Sequence, residues 1–240
     1  NFVTFWGDRY LTANVVNAST GEPLGRTHKF LRGQFGTTLL TFGFLYNMPD
    51  HGSAVDVLRV EEVVQQKWFL DVLSGAEGGF DAVLVLAHMD YKDPLVSVIL
   101  DAIRRIQPAI PVQFVTGHSH IRGYTALDMS ASSFEAGHYL DTVGFASFPK
   151  NGTSQKESVN LAAGFQHVFI DANTATFKTI VGAEDFLTDA GKAFAKRITE
   201  TRESMKLSQQ LGCAPIKFDL VADFTQNNSL WKLFMQDVIA

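Results

Sequence analysis

Three of the seven histidines of this chain follow directly after hydrophobic segments that are typical of strands. His88 comes after the apolar run at residues 81–87, and His118 and His120 come after the run at residues 112–116. In an open α/β sheet, ligands bind beyond the carboxyl ends of the strands. Neutral imidazoles brought together at such an edge are good ligands for divalent ions of the zinc, manganese or iron class.

The spacing of Gly117-His118-Ser119-His120 adds to this interpretation. If the segment is extended, residues two apart point to the same side, so His118 and His120 reach toward one metal ion or two neighbouring ions. Asp90 is a candidate to orient an imidazole, or else a solvated loop carboxylate. His138 is a second candidate, in a turn predicted near the site. The remaining histidines are expected to be structural or on the surface.

Alternating strands and helices must position these histidines. Hydrophobic patterning predicts strands at 27–31, 37–45, 81–87 and 112–116, and helices at 57–74 and from Pro94 to Pro108. Strand–helix–strand crossovers favour parallel pairing. Further strands are expected at 124–129, 133–136 and 142–148. We therefore expect an α/β fold of mixed sheets sandwiched by helices.

The two ends of the chain are predicted from local signals. Residues 3–5 and 10–15 are expected to be short strands around a turn at Gly7-Asp8. Residues 165–171 and 176–181 are interpreted as a hairpin. Residues 188–210 are predicted to form a long helix, and Ser229 is predicted to cap a short last helix.

Composition excludes several classes of protein. The chain has 240 residues, of which 46% are hydrophobic, so a disordered chain is excluded. The net charge is −5 and no basic block is present, which argues against binding to nucleic acid. Its apolar runs are too short to span a bilayer. The single cysteine, Cys213, excludes a disulfide scaffold within the chain and is interpreted as a buried structural thiol.

Three N-glycosylation sequons point to an exported protein. They begin at Asn17, Asn151 and Asn227, each in a predicted loop or turn. The chain starts at Asn1 without the charged and apolar regions of a signal peptide, so any such peptide is expected to have been removed or to lie outside this sequence.

The sequence resembles the calcineurin-like metallophosphoesterases, and within them the 5′-nucleotidase branch. The stretches that carry the resemblance occur in the order of that family: Tyr-Leu-Thr-Ala-Asn-Val at 10–15, Thr-Gly-Glu-Pro-Leu at 20–24, Val-Leu-Val-Leu-Ala-His at 83–88, Gly-His-Ser-His at 117–120 and Glu-Ala-Gly-His-Tyr at 135–139. The tail from Gly-Cys-Ala-Pro at 212–215 to Ser-Leu-Trp at 229–231 looks most like secreted or vacuolar fungal members.

This resemblance implies a four-layer α/β/β/α fold and hydrolysis of phosphate monoesters, expected to be nucleotides, at a two-metal centre. By their positions in the motifs, His88 and His118 are similar to ligands of the second metal, and His120 to a ligand of the first. Two cations at such a centre would clamp a phosphate, activate a bridging water and stabilise the leaving oxygen.

The sequence also departs from the family pattern. Three motifs of the family are not found here, although they precede the matching stretches in its members. They are an Asp-X-His, a Gly-Asp that carries the bridging aspartate, and an Asn-His-Asp/Glu. We therefore expect residues 1–186 to be the C-terminal part of a catalytic domain that is incomplete at its N-terminus. Residues 187–240 are expected to be a helical connector toward a C-terminal domain. This chain alone is expected to be inactive, and its metal site need not be filled. No catalytic residue is assigned in it.

Three functions remain open on the sequence. The favoured one is a metal-dependent phosphoesterase completed by an N-terminal segment of the same protein. The second is a non-catalytic fragment that binds a partner through exposed apolar surface, or that serves for storage. The third is a protein that binds a single metal ion through His88, His118 and His120.

Overall fold

The strands of the chain alternate with helices through most of its length in the computed structural model, which describes residues 2–148, 164–210 and 212–239. In chain order the strands are β1 (Val15–Asn17), β2 (His28–Arg32), β3 (Thr38–Leu45), β4 (Val55–Val57), β5 (Ala82–His88), β6 (Val112–Thr116), β7 (Arg122–Asp128), β8 (Ala131–Ala136), β9 (Thr142–Ser147) and β10 (Gln166–Asp171). The helices are α1 (Phe2–Trp6), α2 (Val60–Val63), α3 (Lys67–Leu73), α4 (Pro94–Ile106), α5 (Thr174–Val181), α6 (Asp189–Ser204) and α7 (Leu230–Leu233).

A mixed sheet of six strands holds the first part of the chain together. Its order is β2-β3-β5-β6-β8-β7. The four central strands run parallel, and β2 and β7 pair antiparallel at the two edges. Two smaller antiparallel pairs, β1 with β4 and β9 with β10, complete the described strands. The α/β class with a mixed sheet and flanking helices, expected from the sequence, is confirmed.

Apolar packing between the sheet and helices α2 to α4 forms the core. Because side chains alternate between the two faces of a strand, Phe42, Val85 and Phe114 point to the same face. All three are fully buried, in one cluster with Phe69 of α3 and Ile99 of α4. The rings of Phe42 and Phe69 have centroids 4.9 Å apart. α4 begins where the sequence predicts, since Pro94 occupies its first turn and Asp93 accepts a hydrogen bond from the N–H of Leu95.

The opposite face of the central strands is partly open to solvent. Leu86 of β5 and Val115 of β6 are 41% and 38% exposed. Parallel strands are ordinarily buried on both faces. An apolar strip in the middle of the sheet is therefore uncovered in the part of the chain that the structure describes.

The N-terminal residues do not form the predicted strands. Residues 3–5 lie in helix α1, and of residues 10–15 only Val15 belongs to a strand. A strand at 10–15 is replaced by an irregular segment that runs against β3, where the N–H of Ala13 donates to the carbonyl of Gly43 at 2.7 Å. A Cβ on Gly43 would lie 2.5 Å from the carbonyl oxygen of Leu11, so only glycine allows this close approach.

Two further element predictions are wrong. The helix predicted at 57–74 is interrupted between α2 and α3, because Gln66 is extended (φ −67°, ψ 144°). The hairpin predicted from 165–171 and 176–181 is absent, because β10 pairs with β9 and the second segment is helix α5. The side chain of Asn173 caps α5 by accepting from the N–H of Thr176, a helix-start signal that outweighs the β-branched residues.

The chain divides into two units, Asn1–Gly182 and Ala183–Ala240. The second unit contains α6, which ends at Ser204 rather than at the predicted residue 210, and α7. Ser229 caps α7 as expected, accepting from the N–H of Lys232. The assignment of 1–186 and 187–240 to parts of two domains stays a prediction. Among the described residues, no helix has the length and apolar character needed to cross a membrane.

Arg104 of α4 fastens the helix to the end of β7. Its Nε and Nη2 donate to the carboxylate of Asp128 at 2.7 and 3.2 Å, and Nη1 donates to the carbonyl of Ile110 at 2.7 Å. Burial acts to raise the pKa of Asp128, but hydrogen bonds from Arg104 and from the N–H of Ser130 outweigh it, so this pKa lies below its ordinary value of 3.8.

Replacing Arg104 by Met is expected to lower the free energy of unfolding by about 2 kcal/mol at pH 7, because it leaves a partly buried carboxylate without its cation. Since the pKa of Asp128 is depressed in the folded state, the ion pair stabilises above pH 3.8 and is lost as the pH falls through the folded-state pKa. Urea unfolding of both proteins from about pH 3 to 7 should show the difference shrinking with acid. Arg105→Met, at an exposed neighbour, is the control; an equal loss in both variants would contradict the account.

Candidate functional site

The parallel ladder places two histidine-bearing chain segments side by side. Leu45 of β3 is in register with His88 at the end of β5, and Ala87 is in register with Thr116 at the end of β6. The N–H of Gly117 donates to the carbonyl of Met89 at 3.2 Å, which ties the two segments just beyond the strands. The carboxyl edge of the sheet therefore brings His88 and the loop at 117–120 together, as the sequence predicts.

His88 and His118 are in direct contact. Nε2 of His88 lies 3.2 Å from Nδ1 of His118, and the ring centroids are 5.0 Å apart. Tyr46, which follows β3, packs its ring 4.8 Å from that of His118, and its N–H donates to the carbonyl of His88 at 3.2 Å. Three adjacent strands thus each contribute one ring to this group.

The surroundings of His88 favour its neutral form. Desolvation lowers the pKa of this exposed imidazole below its ordinary value of 6.5, and the neighbouring His118 and His120 lower it further, while Glu135 acts in the opposite direction. A neutral ring keeps a lone pair available to a metal. Two nitrogens bound to one tetrahedral zinc stand about 3.3 Å apart, given zinc–nitrogen bonds of about 2.0–2.1 Å. The 3.2 Å between the two histidine nitrogens is the length of a hydrogen bond between the rings, and it is also close to the spacing of two ligands of one ion.

His120 belongs to a second group of rings. Its ring is parallel to that of His138, with centroids 5.0 Å apart, and lies 5.7 Å from the ring of Tyr139. Nδ1 of His138 lies 3.4 Å from Oδ2 of Asp141. His138 is thus near the site, as the sequence suggests, and its partner there is His120.

The loop at 117–120 is not extended. His118 and His120 both have left-handed backbone conformations, with φ of 97° and 62°. Such values are uncommon for residues other than glycine, cost of order 1–3 kcal/mol each and concentrate at functional sites. The prediction that His118 and His120 point to the same side is therefore wrong. His118 contacts His88, whereas His120 packs against His138.

A tight turn presents the second group. The carboxylate of Asp141 accepts from the N–H of His138 at 3.2 Å and from the hydroxyl of Thr142 at 2.8 Å. Between them, Tyr139 and Leu140 have φ of 50° and 61° and are 85% and 91% exposed. Two consecutive residues with positive φ and large exposed side chains are uncommon, and here they lie beside the rings of His120 and His138.

Sequence reasoning missed a buried carboxylate beneath the loop. Glu135 of β8 is fully buried, and its Oε2 accepts from the hydroxyl of Ser119 at 2.6 Å. The available signal was a glutamate inside the strand predicted at 133–136, and in the structure the residues of β8 from Ala131 to Glu135 are all buried. A charged residue at an interior position of a strand is uncommon and calls for a partner.

The remaining predicted site residue lies apart from the rings. The carboxylate of Asp90 accepts from the N–H of Lys92 at 2.7 Å, and among the described residues no hydrogen bond joins it to an imidazole. Across all the residues that the structure describes, no three side chains of His, Cys, Asp or Glu are arranged to hold a metal ion together. The structure therefore offers paired nitrogen donors rather than a complete ligand set.

A largely apolar cleft of about 530 Å³ is lined at one end by His88. It runs from His88 and Gly117 over the exposed strip of Leu86 and Val115. Arg9 lies along its wall.

Two of the three sequon asparagines lie within the described residues. Asn17, predicted to lie in a loop or turn, is instead the half-buried last residue of β1, and its Oδ1 accepts from the N–H groups of Ser19 and Thr20 in the turn that follows. Asn227 is exposed and accepts from the ammonium of Lys232 at 3.0 Å. Asn151 lies outside the described residues.

Cys213, predicted to be buried, is exposed instead, because it lies in the irregular segment after α6.

Comparison with known proteins gives fungal relatives. The chain is 23% identical over its whole length to a "Secreted protein" of Arthroderma benhamiae, of which it spans 42%. It is 26% identical, over 99% of its length, to an uncharacterized protein of Schizosaccharomyces pombe, and it spans 44% of that protein. It is also 26% identical, over 87% of its length, to an uncharacterized protein of Saccharomyces cerevisiae, and it spans 36% of that protein. The chain thus covers less than half the length of these relatives. No protein-family model matches it.

A solved structure has the same fold. The chain superposes on a 5′-nucleotidase from Candida albicans with a TM-score of 0.82 and 25% identity, over 99% of this chain and 44% of that one. The mixed α/β fold, with its multi-stranded sheet flanked by helices, is therefore that of a 5′-nucleotidase, in agreement with the resemblance drawn from the sequence motifs.

Proposed function

We propose that this chain forms part of a divalent-metal-dependent phosphoesterase that hydrolyses nucleotides or other small phosphate monoesters. The contact between His88 and His118, at the carboxyl edge of a sheet with a 5′-nucleotidase fold, is the observation that supports this most. Similarity to a phosphoesterase fold favours a divalent ion, and the two facing nitrogens have the spacing that one ion requires.

The residues have distinct roles in this proposal. His88 Nε2 and His118 Nδ1 would hold one ion of the zinc, manganese or iron class, and His120, backed by the ring of His138, would hold a second. Such ions polarise the phosphate oxygens and lower the pKa of a bound water. Tyr46 fixes the plane of the first pair by packing against both rings. No catalytic acid or base is assigned among these residues.

The proposal needs ligands beyond this histidine set. Because the chain spans less than half of its relatives, activity is assigned to the full-length protein and not to these residues alone. The carboxylates that would complete a two-metal centre are expected from an N-terminal segment of the same protein. Nucleic acid is not among the proposed partners, because the chain is acidic.

A second candidate function is non-catalytic binding of a partner, including the storage role considered from the sequence. The exposed strip of Leu86 and Val115 favours it, since apolar surface at the centre of a parallel sheet is usually covered. A full-length protein that binds no metal and releases no phosphate would favour this alternative over the phosphoesterase.

We further propose that the protein is secreted or vacuolar. One relative is named a secreted protein, and of the sequon asparagines that the structure describes, Asn227 is exposed and Asn17 is half-buried. Glycosylation there would be compatible with the fold, because Asn227 is exposed and lies outside the sheets.

Replacing His118 by Ala in the full-length protein is expected to lower kcat/KM for a nucleoside monophosphate by at least about a hundredfold, because it removes a metal ligand. Phosphate release is measured with zinc, manganese or iron supplied. Removal of the metal with a chelator should abolish phosphate release, and return of the ion should restore it.

His51→Ala, at an exposed histidine in the loop before β4, is the matched control and should leave the rate unchanged. An unimpaired His118→Ala enzyme, or activity that survives complete chelation, would contradict the proposal.

Glycosylation gives a test of the proposed location. Protein isolated from its native host should lose mass when N-linked glycans are removed enzymatically, and Asn227→Gln should lack one of these glycans because the exposed site is gone. Gln226→Asn, which leaves the sequon intact, is the control. A native protein whose mass does not change on deglycosylation would contradict the secreted or vacuolar assignment.

A further inference from the structure

We infer that Glu135 is a positioning residue that holds the loop at 117–120 through Ser119, and so sets the directions of both histidines that flank this serine. The inference deepens the proposed phosphoesterase function and rests on it for its catalytic consequence. Ser119 is the residue between His118 and His120, so its anchor controls the backbone on both sides.

The first support is the hydrogen bond itself. The hydroxyl of Ser119 donates to Oε2 of Glu135 at 2.6 Å, which is within the ordinary range for a hydrogen bond between two oxygens. Glu135 is fully buried, and among the described residues its Oε1 has no hydrogen-bond partner. The bond to Ser119 is therefore the one polar side-chain contact that the described structure provides to this carboxylate.

The second support is the conformation that the loop must keep. Left-handed backbone at both His118 and His120 is unfavourable, so a released loop would relax to other conformations. The hydroxyl of Ser119 is positioned to prevent this, since it ties the middle of the loop to a strand of the sheet. The N–H of Gly117 adds one bond at the start of the loop, to the carbonyl of Met89 at 3.2 Å.

The third support is the rigid setting of Glu135. β8 lies between β6 and β7, and Glu135 is in register with Thr116 on one side and Gly123 on the other. A Cβ on Gly123 would lie 2.4 Å from the ring of Tyr91, so the absence of a side chain there lets Tyr91 pack over this part of the sheet. A carboxylate fixed on an interior strand, beside a residue that an aromatic ring covers, can orient the loop without moving with it.

The test is hydrogen exchange of the backbone amides at 117–121 in the metal-free, full-length protein. Ser119→Ala and Glu135→Leu should each speed this exchange by about tenfold, the change expected from loss of one buried hydrogen bond. Glu135→Gln keeps an acceptor of the same shape and should speed exchange less than Glu135→Leu. The double variant Ser119→Ala/Glu135→Gln should exchange no faster than Ser119→Ala, because both changes act on the same bond.

Ser133→Ala is the matched control, because Ser133 lies on the same strand and its buried hydroxyl has no partner among the described residues. If Ser119→Ala exchanges no faster than Ser133→Ala, the inference is wrong, even if Glu135→Leu does not fold. Phosphate release by the same variants tests the catalytic consequence, with kcat expected to fall in Ser119→Ala and KM to change little. A wild-type protein without phosphatase activity would overturn the proposed function and leave the exchange result to decide the role of Glu135.

Discussion

The parallel pairing of β3, β5 and β6 is the constraint on which the rest of this structure depends. Parallel strands in one sheet end at the same edge, so whatever follows them is brought together. Here the register of Leu45 with His88, and of Ala87 with Thr116, sets Tyr46, His88 and the histidine loop side by side. The pairing is held by the buried side chains of the strands, whose helix-facing positions pack against α2, α3 and α4. The site is thus a consequence of core packing.

The same constraint explains what the sequence could predict. The largely apolar segments at 81–87 and 112–116 specify strands of a parallel sheet, and Asp93-Pro94 specifies the start of α4. The fold class and the meeting of His88 with His118 could therefore be predicted. The predictions that were wrong lie where the local pattern is short or where tertiary contacts decide. Residues 10–15 have a strand-like composition, yet they cross β3 at Gly43 instead of pairing as a strand.

The detailed geometry of the histidine loop could not be derived from spacing alone. A period of two assumes extended backbone, whereas the loop turns through left-handed conformations at His118 and His120. These conformations depend on partners distant in the chain, among them Glu135, whose relation to Ser119 appears only when β8 is placed beside β6. The result is two pairs of rings, His88 with His118 and His120 with His138, in place of one cluster.

We propose that the strand ends assemble a divalent-metal site for phosphate chemistry. Elemental analysis of the purified full-length protein is the sharpest test, with wild type and His88→Ala compared after identical preparation in buffer containing zinc and manganese. Bound divalent metal is expected in the wild type, at one ion or more per chain, with loss of at least one ion in the variant. A wild-type protein without bound metal, or a variant with undiminished metal content, would contradict it.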